Sequence, residues 1–338
     1  MKTRIPYLSI CIPTYNRLHY LKESLDVLLN QAEGMEVEVC VSNNSSTDGT
    51  ASYLGEMAKK FSCLRFINQK TNISLDLNMC AALSMGKGAY LYPIGDDDVI
   101  PAMSLSLIFQ ELDGVVDVVI QNGWLTDAKL SPQGMQLPLN IQGIQFNSPT
   151  EAFISLWDKM PFGSFLAVRE CFDAALFEKY VGTSHAYTGA VWEALANKYN
   201  STGFCNIKCM TKPMVLLRGG EKSWRNDAAL IMLYQIPKWF RLLMEKKEFQ
   251  VAAERFRAKF IRDQISLESL LQYTSYGQLD NKMLDLLRGE YTAKEFGKVK
   301  MVARVPPPMA RLLIQLRKFP VLASRRFLKS IRKLVVGY

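Results

Sequence analysis

The sequence predicts an α/β fold: a mostly parallel sheet with helices on both faces, followed by a helical C-terminal region. Two observations predict it. Short apolar runs alternate with helical periodicities over residues 7–121, and from residue 226 onward helical patterning dominates. Strand–helix alternation with short links builds parallel sheets covered on both faces.

Taken in order, "YLSICIP" (7–13) reads as a buried strand that ends in proline. Leu18, Leu21, Leu25, Leu28 and Leu29 then recur at helical spacing on one face. "VEVCVS" (37–42) alternates as a strand, and residues 46–61 open with capping residues and read as a helix. "LRFIN" (64–68) is a third strand, and residues 74–88 are a helix closed by Gly86 and Gly88. "AYLYPI" (89–94) is a fourth strand, residues 102–114 are helical, and "VDVVIQ" (116–121) is a fifth strand. Residues 122–148 show turn chemistry and weak periodicity, and two or three helices with strands between them fill 150–200.

In sheets of this kind ligands bind beyond the carboxyl ends of the strands. Polar residues follow each of the first four strands: Thr14, Tyr15, Asn16 and Arg17; Asn43, Asn44, Ser45 and Ser46; Asn68 to Ser74, including Asn72; then Asp96, Asp97 and Asp98. Four polar loops therefore converge on one edge. Three adjacent carboxylates repel one another unless something offsets them. A hard divalent cation would, since Mg2+ or Mn2+ takes one or two carboxylates and shares its remaining positions with substrate phosphates. A solvated turn or a helix N-terminus is the plainer reading of the triplet.

Composition narrows the class. With 49% hydrophobic and 22% charged residues among 338, the chain has material for a real core, which excludes wholesale disorder. Seven scattered cysteines suggest reduced thiols rather than a disulfide framework, and Cys205 and Cys209 find no second pair to complete a zinc site. No secretory signal is evident and no apolar run approaches the roughly 20 residues of a membrane span. The expected location is the cytoplasm. The net charge of +9 is concentrated at the end: eleven basic and no acidic residues follow Gly297, so the preceding body is slightly acidic. Such asymmetry points to a surface that meets phosphates.

"LSICIPTYNR", "VSNNSSTDGT", "NISLDLN" and "PIGDDDV" together resemble the nucleotide-sugar half of family-two glycosyltransferases, which have the GT-A fold. The resemblance covers roughly residues 7–115. Its flavour is closest to bacterial surface-polysaccharide enzymes such as the abequosyltransferases of O-antigen synthesis. It implies a GT-A domain over 1–225, with a nucleotide-sugar half (1–121) and an acceptor half (122–225). A helical subdomain (226–303) and a basic tail (304–338) follow. It also implies roles. Pro13, Thr14 and Tyr15, with Arg17 beside them, match the loop along the nucleoside. Asn43 stands where relatives have an aspartate that reads the base. Asn72, Asp76 and Asn78 match the loop flanking the donor. Asp96 precedes the acidic pair, in which Asp97 and Asp98 touch ribose and metal; Asp98 is the expected ligand of Mg2+ or Mn2+.

Two departures carry consequences. Asparagine donates as well as accepts, so Asn43 leaves the base open among CDP, UDP, GDP and dTDP. Gly95 replaces an acidic residue found in many relatives, which leaves the metal mainly to Asp98. Relatives of this family usually invert the anomeric centre in one displacement, and this requires a base. No Glu-Asp pair occurs in residues 179–199; His185, just before an apolar helix, is the candidate, with Glu193 second and Asp127 and Asp173 behind.

In "RGGEKSWRND" (218–227), Arg218, Lys222 or Arg225 would meet the diphosphate if that loop closes over it. "RVPPPMAR" (304–311) reads as a linker to a basic amphipathic helix pair interrupted at Pro320. These features lead to one expectation: an inverting, metal-dependent transferase on the inner face of the plasma membrane. Its partners would be a nucleotide-diphospho-sugar, a lipid-linked oligosaccharide acceptor and the anionic membrane surface, with no nucleic acid. The alternatives are a catalytically degenerate nucleotide-binding module, a nucleic-acid-binding protein using the basic tail, and a nucleotidyltransferase. The last lacks support, because "PTYNRLHYL" contains no glycine.

Overall fold

The computed structural model describes residues 6–219 and 223–317. The chain divides into two compact units, Met1–Glu221 with Lys246–Phe249, and Lys222–Glu245 with Gln250–Tyr338.

The first unit is built on one sheet. Strands β1 (Leu8–Thr14), β2 (Val37–Asn43), β3 (Leu64–Asn68) and β4 (Tyr90–Pro93) are linked by helices α1 (Leu18–Ala32), α2 (Thr50–Lys60) and α3 (Leu75–Met85). They pair in parallel in the order β3-β2-β1-β4. β1 and β2 are buried along their whole length, as strands covered on both faces must be. Leu21, Leu25, Leu28 and Leu29 of α1 pack into the core under the sheet with Ile10, Ile12, Val39 and Val41. The register aligns the strand ends: Thr14 lies opposite Asn43, and Asn43 opposite Asn68.

Beyond β4 the sheet becomes mixed. After α4 (Ser104–Gln110) come β5 (Val118–Thr126), β6 (Pro132–Met135), β7 (Gln145–Phe146), α5 (Pro149–Leu156) and β8 (Phe165–Val168). Helices α6 (Ala174–Tyr180) and α7 (Ala186–Thr202) and strand β9 (Ile207–Arg218) complete the unit. β8 inserts antiparallel between β4 and β5, so the fifth strand is not a neighbour of the fourth. β9, the longest strand, runs parallel to β5 and had no clear sequence signal. Pro213 explains why: it interrupts the apolar run at a register shift against Asn122.

On α7, Trp192 packs edge-on against Phe153 with ring centroids 5.3 Å apart, and both meet Phe249. Glu193, the second candidate for a base, is engaged here. Its carboxylate takes hydrogen bonds from Lys179 (2.8 Å) and Tyr180 (2.7 Å) and pairs with Lys246 (2.9 Å). This buried network pins residues 246–249 to α7.

The second unit is helical. α8 (Ala228–Leu230) passes through a π turn (Ile231–Gln235) into α9 (Ile236–Leu243), followed by α10 (Gln250–Gln264), α11 (Leu267–Ser275), α12 (Asn281–Leu287), α13 (Ala293–Ala303) and α14 (Pro307–Arg317). Trp239 and Phe240 are buried, so this segment is core rather than a lipid-facing surface. The prolines at 306–308 do not form a linker: Pro307 opens α14, where its missing N–H has no intrahelical partner to lose. Ala310 and Leu313 of α14 join the core of this unit. The amphipathic stripe expected beyond Pro320 lies outside the described residues. No helix among the described residues is long and apolar enough to cross a membrane.

Candidate active site

The carboxyl ends of β1, β2, β3 and β4 bring the predicted polar residues together. Thr14 donates its hydroxyl to Asp96 Oδ2 at 2.7 Å, joining the ends of β1 and β4. Arg17 meets two aspartates, with Nη1 2.9 Å from Asp96 Oδ1 and Nη2 2.5 Å from Asp97 Oδ2. The repulsion within the triplet is thus offset in part by a guanidinium. Burial alone would weaken the Arg17 charge, but Asp96 and Asp97 hold its pKa above the ordinary value. The Asp96 pKa is raised as well, which for a carboxyl disfavours the charge. Burial pushes its carboxyl up to about 7, Arg17 pulls it back and Asp97 raises it again.

Asp98 is held differently. Its Oδ1 accepts the backbone N–H of Arg218 at 2.9 Å, and the adjoining Val99 bridges to Leu216 of β9. Burial, then the neighbouring Asp97, pushes this carboxyl well above the usual carboxylate range. Two glycines make room for it. A Cβ at Gly95 would stand 2.9 Å from both Asp97 Oδ1 and Asp98 Oδ2, and one at Gly163 would stand 2.9 Å from Asp98 Oδ2. Gly95 therefore leaves room for the Asp97 and Asp98 carboxylates, which a fourth acidic side chain here would force to shift.

The Arg218 side chain is committed to the protein. It donates to the Asp97 carbonyl (2.9 Å), the Ala128 carbonyl (2.7 Å) and Glu23 (2.6 Å). The Arg17 and Arg218 guanidiniums lie 4.8 and 5.0 Å from the Tyr20 ring centroid. Arg218, expected in a closing loop, stands on β9 beside the acidic triplet, a position with no local signal in the sequence. Lys222 lies outside the described residues, and Arg225 belongs to the second unit.

The loops after β2 and β3 are an asparagine lattice. Asn43 Nδ2 donates to Asn68 Oδ1 at 2.8 Å, and its Oδ1 accepts the Ser46 amide at 3.2 Å, which fixes which way the Asn43 amide faces. Asn44 donates to Asn72 Oδ1 (3.2 Å) and the Ile73 carbonyl, and accepts the Ile73 amide. Asn78 donates to the carbonyls of Thr14 and Ser42 and accepts the Ser42 hydroxyl, tying β1 to β2. Pro13 is buried at the end of β1, whereas Tyr15 is 44% exposed beside it.

Asp76 does something its sequence position did not foretell. It is 4% exposed, and its oxygens accept four backbone amides: Gly182 (2.8 Å), Thr183 (3.1 Å), Ser184 (3.0 Å) and Ala186 (3.2 Å). It thereby binds the loop that carries His185, the residue immediately before α7. Burial pushes the His185 pKa below its ordinary value, and Asp76 partly offsets this. The imidazole stacks near Tyr187, with centroids 6.2 Å apart, and Tyr187 stacks on Phe162 at 4.3 Å, next to Gly163. Asp127 and Asp173 serve local turns. The first accepts the amides of Lys129 and Ser131, and the second caps α6.

Among the described residues no group of three or more His, Cys, Asp or Glu is placed to hold a metal by protein ligands alone. The donor set here is a buried carboxylate at Asp98 beside a partly neutralised pair. That set suits a cation which also binds phosphate oxygens.

Comparison with known proteins identifies the domain. Residues 9–167 match the profile described as Glycosyl transferase family 2. The chain carries a family 2 glycosyltransferase domain. The chain is 26% identical over 291 residues to abequosyltransferase RfbV of Salmonella typhimurium, covering 81% of this chain and 86% of the relative. It is 30% identical over 131 residues to a chondroitin synthase of Pasteurella multocida, but that match spans 13% of the relative's length. Among solved structures, residues 1–349 of S. aureus TarS in complex with UDP-GlcNAc match with a TM-score of 0.54 at 16% identity. That match covers 88% of this chain and 90% of the other, a likeness of fold.

Proposed function

We propose that this glycosyltransferase moves a sugar from a nucleotide-diphospho-sugar to a hydroxyl of a lipid-linked oligosaccharide during bacterial surface-polysaccharide synthesis, with inversion at the anomeric carbon. The observation that carries the reading is the convergence of Thr14, Arg17, Asn43 and Asp96–Asp98 at the strand ends. The relation to abequosyltransferase RfbV over most of both chains supports the substrate class, and the basic end of the chain suits an acceptor held at an anionic membrane surface.

In this account the nucleoside lies along the loops after β1 and β2, where Tyr15 offers an exposed ring and the Asn43–Asn68 pair offers oriented amides. Asp98, aided by Asp97, would hold Mg2+ or Mn2+ shared with the diphosphate. Bound there, the ion supplies positive charge to the departing nucleoside diphosphate. Arg17 keeps Asp96 and Asp97 from repelling the same phosphates.

His185 is neutral near pH 7, because burial lowers its pKa. It takes the proton of the acceptor hydroxyl as that oxygen bonds to the anomeric carbon and the bond to the diphosphate breaks. The proton is later released from the imidazole to solvent.

The test is incubation with Mn2+, a panel of CDP-, UDP-, GDP- and dTDP-sugars and a polyprenyl-diphosphate saccharide, with NMR of the product's anomeric proton. Transfer with the opposite anomeric configuration is expected. Absence of transfer and of nucleoside diphosphate release across the panel would overturn the proposal in favour of a degenerate module.

A further inference from the structure

We infer that Asp76 is a positioning residue for His185, and that its carboxylate organises the base loop rather than contacting the donor. This rests on the reading of His185 as the base.

Asp76 sits in the first turn of α3, directly after the loop from β3 that joins the donor edge. Its Oδ2 receives three consecutive amides, Gly182, Thr183 and Ser184, and its Oδ1 receives Ala186, the first residue of α7. A carboxylate with four such acceptor contacts is committed to them. The loop it holds is not one the chain adopts freely. Gly182 and Ser184 both have left-handed backbones, at φ +80° and +58°, and the second is a non-glycine residue. Two adjacent helix ends also favour a negative charge at this point, since α3 and α7 both begin beside it. Within the loop, Thr183 completes the arrangement. Its hydroxyl accepts the His185 amide at 3.2 Å and donates to the Tyr180 carbonyl at 2.7 Å.

The arrangement has a second consequence for the imidazole. Asp76 from α3 is a charged group acting on His185, and the Tyr187 ring is a titratable neighbour on its own helix. Asp76 therefore fixes where His185 stands and partly offsets the effect of burial on its proton affinity. The Asp76 anchor spans 106–110 residues of sequence, from the donor half to the acceptor half of one unit. The same side chain fixes the base relative to the donor loop held by Asn44, Asn72 and Ile73.

The chain contains two histidines, so the imidazole C2 protons give two NMR signals, assigned by His185→Ala. In the wild type the His185 signal should titrate below the ordinary value of about 6.5. Asp76→Asn keeps the shape and removes the charge. It should move that midpoint further down and lower kcat at least tenfold, while the Kd for a nucleoside diphosphate with Mn2+ changes less than about twofold. A folded Asp76→Asn with an unmoved midpoint and unchanged kcat overturns the inference, as does a loss confined to donor Kd. If Asp76→Asn does not fold, Thr183→Val tests the same loop: a fall in kcat at constant Kd is expected, and an unchanged kcat overturns it. Normal turnover by His185→Ala would instead refute the base assignment, while the NMR coupling between Asp76 and His185 would stand.

Discussion

A Cβ placed on Gly163 would lie 2.9 Å from Oδ2 of Asp98, and Gly163 has φ +76°. The loop before β8 thus closes over the last carboxylate of the acidic triplet at a distance where a Cβ would force one of them to shift. Tyr92 reinforces the contact by donating its hydroxyl to the Gly163 carbonyl at 2.7 Å. The carboxylate assigned to metal is positioned from both sides, by Gly163 on one and by the Arg218 amide on the other.

Gly163→Ala should therefore act twice. The left-handed backbone and the clash predict a loss of about 1–3 kcal/mol of stability. The shifted Asp98 predicts weaker Mn2+-dependent nucleotide binding. Denaturant unfolding and calorimetry read the two effects; if both are unchanged, the contact does not position Asp98.

His185→Ala should lower kcat about 10²- to 10⁴-fold, the usual share of a general base, while nucleotide affinity stays within about twofold. The wild-type kcat profile should fall on the acidic side. The His185 pKa is lowered in the folded state, so the unfolded chain binds more protons between that value and about 6.5. The contribution to stability is then complete above about 6.5 and is lost as pH falls through the folded value. A kcat profile whose acidic limb does not follow the NMR midpoint of His185 contradicts the assignment.

Arg17→Ala removes the cation shared by Asp96 and Asp97. Because Arg17 is partly exposed, the cost should be about 3 kcal/mol or less, the lower end for breaking a buried pair. The uncompensated carboxylates should weaken nucleoside diphosphate binding at least tenfold at low salt. Arg17→Lys should recover only part of this, since one ammonium does not span two carboxylates as the guanidinium does. Full recovery by lysine would show that charge alone matters.

The basic C-terminus gives a separable prediction. Removing residues 309–338 would strip the buried Ala310 and Leu313 from the helical core. Removing 318–338 leaves α14 and deletes six basic residues, each worth about 1 kcal/mol near an anionic surface. The shorter deletion should abolish co-sedimentation with phosphatidylglycerol vesicles and leave the melting temperature unchanged. Retained binding would move the membrane contact elsewhere.

How much of this was legible in the sequence depends on the range of the interaction. α1 and the first four strands follow local periodicity, so Leu21, Leu25 and Val39 could be placed on the core from spacing alone. The strand-end rule then placed Thr14, Asn43 and Asp96 on one edge, and a hydrogen bond joins the first and last of them. β8 is four residues long and β9 is interrupted by Pro213, so neither produced a pattern. The service of Asp76 to the His185 loop and of Arg218 to Asp98 depends on partners more than 100 residues away, which no local signal encodes.

The most direct test of the account is calorimetric binding of CDP, UDP, GDP and dTDP, each with and without Mn2+, to the wild type and to Asp98→Asn. One preferred nucleotide is expected, with binding strengthened by Mn2+ in the wild type and that strengthening lost in a folded Asp98→Asn. Equal Mn2+ enhancement in both proteins, or no binding of any nucleotide to the wild type, would contradict it.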